Sequence, residues 1–430
     1  MTTRPFALAA FRVTSDAPRR PLWQTVWTIA LVVAMGATLS ACETFRFGSD
    51  KPSAPSGQAQ STRPTTVTPV QPGQTPTAGV PSNPNTVRVA LLLPFSHPAK
   101  ETRAVAQALL NAAQMAMFDM GSRTMTLIPR DTGTTPESAA AAATDAIDKG
   151  AELILGPLLA ADVRVVAPIA RQRNIPVIAF STDRTVAGDG VFLLSFLPET
   201  EVTRIISYAI SQGRSRFAAL IPATPYGQRV EEAFRATVTA AGRQVVSVQS
   251  YQPNPQALEP AINAVAKSGL GFDAIFLPDG GVMLRSIAPI LLGKGVDSKQ
   301  VRFLGTGLWD DPAVAKDASL VGGWYSVPPQ DQRQSFSTHY QQLYTLKPPR
   351  IATLAYDGIA LAATLSRGAP GRRYTTATIT DPNGFAGIDG IFRFLPNGFT
   401  ERGLAVMEIA PNGQLTVASP AASTFQSQGF

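Results

Sequence analysis

The chain has 430 residues, 44% hydrophobic and 16% charged, with 34 Gly, 36 Pro, one cysteine, two histidines and a formal charge of +7. One cysteine excludes an internal disulfide, and with only two histidines beside it a Cys/His zinc cage is excluded and a catalytic triad could draw only on His97 or His339. Removing a 41-residue export segment leaves 389 residues, enough for two α/β lobes, and lowers the charge to +4, with no basic stripe of the kind nucleic acid needs.

In chain order, Arg19-Arg20 precedes the apolar run Leu22 to Met35, the charged and apolar regions of a secretory signal. The run ends in Leu39-Ser40-Ala41-Cys42, which resembles the bacterial lipobox, in which cleavage falls before a cysteine lipidated through its sulfur. Cys42 is therefore the expected lipidation site, and lipid on it the expected membrane contact. The competing reading is an uncleaved anchor, because Leu22 to Ala41 is twenty residues and could span a bilayer. Either reading places the remainder outside the cytoplasmic membrane. Glu43 rather than Asp follows the cysteine, which by resemblance to enterobacterial sorting favours the outer membrane. From residue 42 to 86 the chain is rich in Pro, Ser and Thr and is expected to be a disordered tether, because such a composition buries too little apolar surface to offset the entropy of ordering.

Val87 to Pro94 reads as a strand buried on both faces, and Val105, Leu109, Ala112, Ala113, Ala116 and Met120 recur at helical spacing after it. Met125 to Ile128 follows as a second strand. Thr134-Thr135-Pro136-Glu137 then combines a capping-box spacing with an early Pro and opens an alanine-rich helix. Glu152 to Leu155, Ile175 to Phe180 and Val191 to Phe196 are further strands, with a helix over Ala161 to Arg173. After Pro198 the alternation restarts, with strands at Phe217 to Pro222, Gln244 to Gln249, Ala274 to Leu277 and Arg302 to Leu304 between helices. Helices resume over Gln334 to Tyr344 and Ile351 to Arg367. Alternation at this spacing predicts an α/β fold of two doubly wound parallel-sheet lobes. No GxGxxG or P-loop follows any strand, which counts against a nucleotide enzyme.

The phrases VRVALLLP, AELILGPLLAADVRVVAPIARQRNIPVIAFST, FAALIPATPYGQRVEEAFRATVTAAGRQVV, ATLAYDGIALAATL and GIDGIFRFLPNGF follow one another in order from about Thr86 to Ala418. In that order they resemble the type I periplasmic binding proteins of the branched-chain amino-acid receptor superfamily. The resemblance implies two lobes joined by three hinge crossovers, near Pro198, Val327 and Glu401, able to close on a ligand. It assigns residues 87–200 and about 328–400 to lobe 1, residues 201–327 and about 401–418 to lobe 2, and residues 419–430 to a flexible tail.

Ligands of parallel α/β sheets sit beyond the carboxyl ends of strands. In lobe 1 this rule selects Ser96 and His97, the Gly156-Pro157 segment running to Ala160, and Ser181, Thr182 and Asp183. In lobe 2 it selects Tyr226, Asp279 and Thr306, with Tyr226 matching the cleft tyrosine of the resembled family. Each could equally be a loop residue satisfying its own backbone. Tyr356-Asp357-Gly358 reads as a helix-packing landmark. Amino-acid receptors of the family would present a serine pair where Ala160 and Ala161 stand and an acidic group within Gly305 to Leu308, and Asp183 adds a negative charge near the expected carboxylate position. A standard α-amino acid is thus a poor fit.

Three functions follow. A lipoprotein tether on this fold resembles the lipoprotein activators of penicillin-binding proteins, which implies a cell-wall synthase as partner. The alternative is the substrate-binding receptor of an ABC transporter, with a permease as partner and a small polar or amino-acid-like ligand. An enzyme would need an acid/base pair from Asp131, Asp183, Asp279 and Asp310, and no spacing joins a nucleophile, a base and an orienting group. The expectation is a non-catalytic binding protein with no cofactor, no metal and no nucleic-acid partner.

Overall fold

A computed structural model describes residues 86–121, 124–267 and 271–425. The export segment, Cys42 and the tether expectation lie outside these residues.

β1 (Val87–Leu93) pairs in parallel with β2 (Met125–Asp131) on one side and β3 (Leu153–Leu155) on the other. β4 (Val177–Ala179) and β5 (Val191–Leu193) extend the sheet to the order β2-β1-β3-β4-β5. Alternate residues of β1 enter opposite cores, which is why the strand reads as one apolar run. Val89, Leu91 and Leu93 pack with α1 (Lys100–Asp119) and α10 (Ala352–Leu365), while Ala90 and Leu92 pack with α2 (Pro136–Asp148) and α3 (Ala160–Gln172). The capping box sits one residue on from the Thr134–Glu137 spacing the sequence suggests: Thr135 caps α2, with Pro136 in the first turn, and its reciprocal partner is the Ser138 hydroxyl.

The second sheet has the order β15-β14-β10-β9-β8-β6-β7. Its parallel part comprises β6 (Arg216–Pro222), β7 (Gln244–Tyr251), β8 (Ala274–Phe276), β9 (Arg302–Gly305) and β10 (Trp324–Val327). α4 (Pro198–Ser211) and α5 (Pro225–Ala240) cover the face bearing Phe217, Ala219 and Ile221. α6 (Leu258–Lys267) and α7 (Gly281–Gly293) cover the face bearing Ala218, Leu220 and Ile275. A short α8 (Pro312–Ala315) follows β9, and α9 (Asp331–Tyr344) follows β10 and, like α10, packs on α1.

Two features depart from a purely parallel pair of lobes. After the one-turn α11 (Thr376–Ile379), β11 (Phe385–Gly387), β12 (Gly390–Phe394) and β13 (Thr400–Arg402) form a small antiparallel sheet. β14 (Ala405–Ile409) and β15 (Leu415–Ser419) then add antiparallel strands to the β10 edge of the second sheet. Ser419 closes β15 and accepts from Arg204 at 2.7 Å, and Phe425 lies under the Arg393 guanidinium, so the described part of the expected tail lies against the fold.

The backbone passes between the two sheets three times, from β5 to α4, from β10 to α9 and from β13 to β14. Arg402 ties two of these passages together. It is 8% exposed, donates from Nε to the Ser195 carbonyl at 3.3 Å and stacks over Phe196, whose ring Arg350 approaches as well.

Candidate ligand cleft

At the carboxyl end of the first sheet the loops are organised by backbone geometry. Gly156 adopts φ 85°, and a Cβ there would collide with the Leu92 carbonyl, so only glycine carries the chain from β3 past β1. The Gly156–Pro157 peptide is cis, and the Pro157 carbonyl accepts from Phe180 N–H at 3.0 Å, joining the loops after β3 and β4. Leu159 precedes α3 and offers no side-chain cap, which leaves the first N–H groups of that helix without a side-chain acceptor.

The other lobe 1 candidates are engaged locally. Ser96 N–H donates to Asp131 Oδ1 at 3.2 Å, and His97 Nδ1 accepts from Ala99 N–H at 3.1 Å. Asp162, in the first turn of α3, is 7% exposed; burial raises its pKa and the charge of Asp131 adds to the rise, against the opposing effects of Thr132 and His97. Ser181 is buried and its hydroxyl accepts from Asp183 N–H at 3.1 Å, whereas Thr182 is exposed. Asp183 does not stand as a free negative charge. Its carboxylate takes the Thr185 hydroxyl at 2.7 Å and N–H at 2.9 Å and Arg164 at 2.7 Å, and these bonds, those of Thr185 foremost, hold its pKa below the usual range. The expected repulsion toward a ligand carboxylate is therefore offset within lobe 1.

In lobe 2 the structure brings Tyr226 and Thr306 together, their hydroxyls 3.0 Å apart. Tyr226 opens α5 behind Thr224, which caps Gly227 N–H at 3.1 Å, and Gly227 lies so close to the Pro222 carbonyl that a Cβ could not fit. Asp279 accepts from the Tyr251 hydroxyl at 2.5 Å and from Gly280 N–H at 2.8 Å. Burial pushes both tyrosines above their ordinary pKa; for Tyr251 the bond to Asp279 adds to the rise.

Sequence reasoning missed the charges at the junction of the lobes. Glu201, in the first turn of α4, accepts Gly307 N–H at 2.9 Å and faces Arg350 of lobe 1 at 3.7 Å. Burial raises its pKa, opposed first by Arg350. It places an acid beside Gly307, within the segment where the sequence offered none. Glu199 holds Arg229 through two 2.8 Å bonds and faces Arg184 of lobe 1 at 3.8 Å. Asp310, the one carboxylate of this group that the sequence had singled out, accepts from Gln330 at 2.8 Å and faces Arg333 at 3.5 Å. The one available signal was the pair of acids just after Pro198, where a helix N-terminus favours negative charge. The four aspartates considered for chemistry have separate partners: Asp131 takes Ser96 and Gly133 N–H, Asp183 takes Arg164, Asp279 takes Tyr251 and Asp310 takes Gln330. Among the described residues no group of three or more His, Cys, Asp or Glu could hold a metal, and no helix is long and apolar enough to cross a membrane.

A parallel five-stranded lobe joined by three passages to a larger lobe, with loops gathered at the carboxyl ends of the strands, is the architecture of a two-lobed binding protein. Residues 86–414 match the sequence pattern of the family described as periplasmic binding protein, and the chain belongs to it. Similar solved structures include a branched-chain amino-acid ABC transporter periplasmic ligand-binding protein from Burkholderia xenovorans (16% identity, 79% of this chain, 96% of that one, TM-score 0.62). They also include the substrate-binding protein LivJ of Streptococcus pneumoniae in complex with isoleucine (18%, 78% and 100%, TM-score 0.51). A third is a solute-binding protein from R. palustris in complex with benzoate (17%, 80% and 98%, TM-score 0.53). At these identities the likeness is one of fold. An uncharacterized protein of Rickettsia prowazekii is 22% identical over 223 residues, covering 50% of this chain and 59% of that protein's length.

Proposed function

We propose that the protein is a non-catalytic, lipid-anchored binding protein of the periplasm that regulates a cell-wall synthase, held by lipid on Cys42 at the outer membrane. The observation that carries this reading is the state of the cleft. Tyr226 is engaged with Thr306, Asp279 with Tyr251, and Glu201 with Gly307 and Arg350, so the lobe 2 groups that would meet an amino-acid ligand are satisfied within the protein. A cleft of this kind suits a fold retained for its surfaces and its hinge. The synthase as partner rests on the resemblance of a lipobox and tether joined to this fold. The test adds the globular part, beginning near Thr86, to a glycan polymerase or transpeptidase and follows the rate. A rise that saturates supports the proposal, and an unchanged rate at saturating amounts rejects it.

A second reading, the solute receptor of an ABC permease, is favoured by the uncapped N-terminus of α3 after β3 and by the solved relatives, whose isoleucine and benzoate ligands both carry a carboxylate. It requires a small carboxylate without an obligatory ammonium group. A thermal-shift screen of aliphatic and aromatic acids, amides and short peptides tests it, since a ligand at 100 times its Kd stabilises by about 2.7 kcal/mol. No shift across the set removes it.

A further inference from the structure

Beside the second passage between lobes lies a cavity of about 450 Å³, formed by the first turns of α9 and the loop leading into α10. That volume is in the range of small-molecule sites. Its lining carries three cations, Arg333, Lys347 and Arg350, against one carboxylate, Asp331, with Gln334 and Ser337 as neutral hydrogen-bonding groups. None of these residues is among the strand-end candidates, although Gln330, Arg333 and Arg350 also meet Asp310 and Glu201 at the junction of the lobes.

The cations keep bonding capacity in reserve. Arg333 faces Asp310 at 3.5 Å and Asp389 at 3.7 Å, and Arg350 faces Glu201 at 3.7 Å. These are ion-pair separations longer than a good hydrogen bond. Arg333 Nη2 and Arg350 Nε and Nη2 are buried with no hydrogen-bond acceptor, and Lys347 enters no ion pair among the described residues. The N-terminus of α10, preceded by Ile351 with no side-chain cap, adds the positive end of a helix dipole. Planar guanidinium groups beside an ammonium favour oxyanions, which accept several charge-assisted hydrogen bonds at once.

We propose that this hinge pocket binds a small molecule bearing carboxylate or phosphate, and that its occupancy is coupled to the arrangement of the lobes. Arg333 and Arg350 are the side chains that lobe 1 extends toward Asp310 and Glu201 of lobe 2. An oxyanion that takes their hydrogen bonds weakens both interlobe pairs and shifts the lobes toward an open arrangement, and opening in turn favours the oxyanion. The site acts irrespective of which partner the protein serves.

The test is isothermal titration of the full chain with inorganic phosphate and, separately, with citrate, at ionic strength held constant with sodium chloride. Saturable binding of at least one is expected. Phosphate alone identifies a phosphate or phosphomonoester site, and citrate alone a carboxylate site. Lys347 is exposed, so Lys347→Gln leaves the fold intact and is expected to weaken binding about tenfold, equivalent to 1.4 kcal/mol. Arg350→Lys, which keeps the charge and loses the fork, is expected to weaken it as well, while Lys316→Gln on lobe 2 leaves it unchanged. No saturation with either probe, or equal affinity in the Lys347 and Arg350 variants, overturns the site. An unchanged radius of gyration in small-angle scattering at saturation overturns the coupling.

Discussion

Asp357 offers the sharpest test of how the hinge is held. It lies on α10, 1% exposed, with one carboxyl oxygen accepting Ile388 N–H at 2.8 Å and the other against the Gly387 backbone without a hydrogen bond. The charged groups acting on it are Arg402 of β13, which favours its ionised form, and Asp389 of the β11–β12 turn, which opposes it. Burial outweighs Arg402, and the pKa rises from 3.8 to about 7. The folded value is above the unfolded one, so the favourable contribution of the neutral carboxyl is complete below the unfolded value and is lost as pH rises through about 7. Between about pH 5 and pH 8 that loss is on the order of 2 to 3 kcal/mol. Asp357→Asn keeps an acceptor for Ile388 N–H and mimics the neutral form. Urea unfolding at a series of pH values is therefore expected to show the variant gaining on the parent by roughly that amount from pH 5 to pH 8. Parallel pH profiles for the two proteins would refute the reasoning.

Three further outcomes follow. Gly227→Ala places a methyl against the Pro222 carbonyl, a backbone atom that cannot yield cheaply, and is expected to cost about 1 to 3 kcal/mol in urea unfolding. Arg402→Met leaves Asp357 and Asp389 buried without their shared cation and is expected to destabilise by roughly 3 to 5 kcal/mol at neutral pH, with the deficit shrinking in acid as Asp357 protonates. Asp183 has a folded pKa below its unfolded one, so its contribution is present above the unfolded value and is lost as pH falls through the folded value. Asp183→Asn should flatten the acid limb of the stability profile, and an unaltered limb would show that the Thr185 and Arg164 bonds contribute nothing.

The sequence by itself determined the alternation of elements, because burial on both faces leaves an unmistakable mark on a strand. β1 is a run of apolar residues for that reason, and the Thr-Thr-Pro-Glu segment with its early Pro136 marks the start of α2, although the structure puts the capping hydroxyl on Thr135 and its partner on Ser138. The rule of strand ends selected Tyr226 and Thr306, whose hydroxyls the fold brings into contact from 80 positions apart. The antiparallel strands β11 to β15 left a weaker trace, since β11, β13 and β15 are short or partly exposed and their pairing depends on neighbours elsewhere in the chain. Only the tertiary structure decided the charges. Nothing local to Glu201 says that Arg350 will face it, nor that Asp357 and Asp389 will both act on Arg402, because a charge is fixed in a protein by whatever opposite charge and dielectric the fold brings to it. That is why Asp183, which reads as an open negative charge in sequence, is neutralised by Arg164, and why the acid absent from Gly305 to Leu308 arrives from α4, 106 positions earlier in the chain.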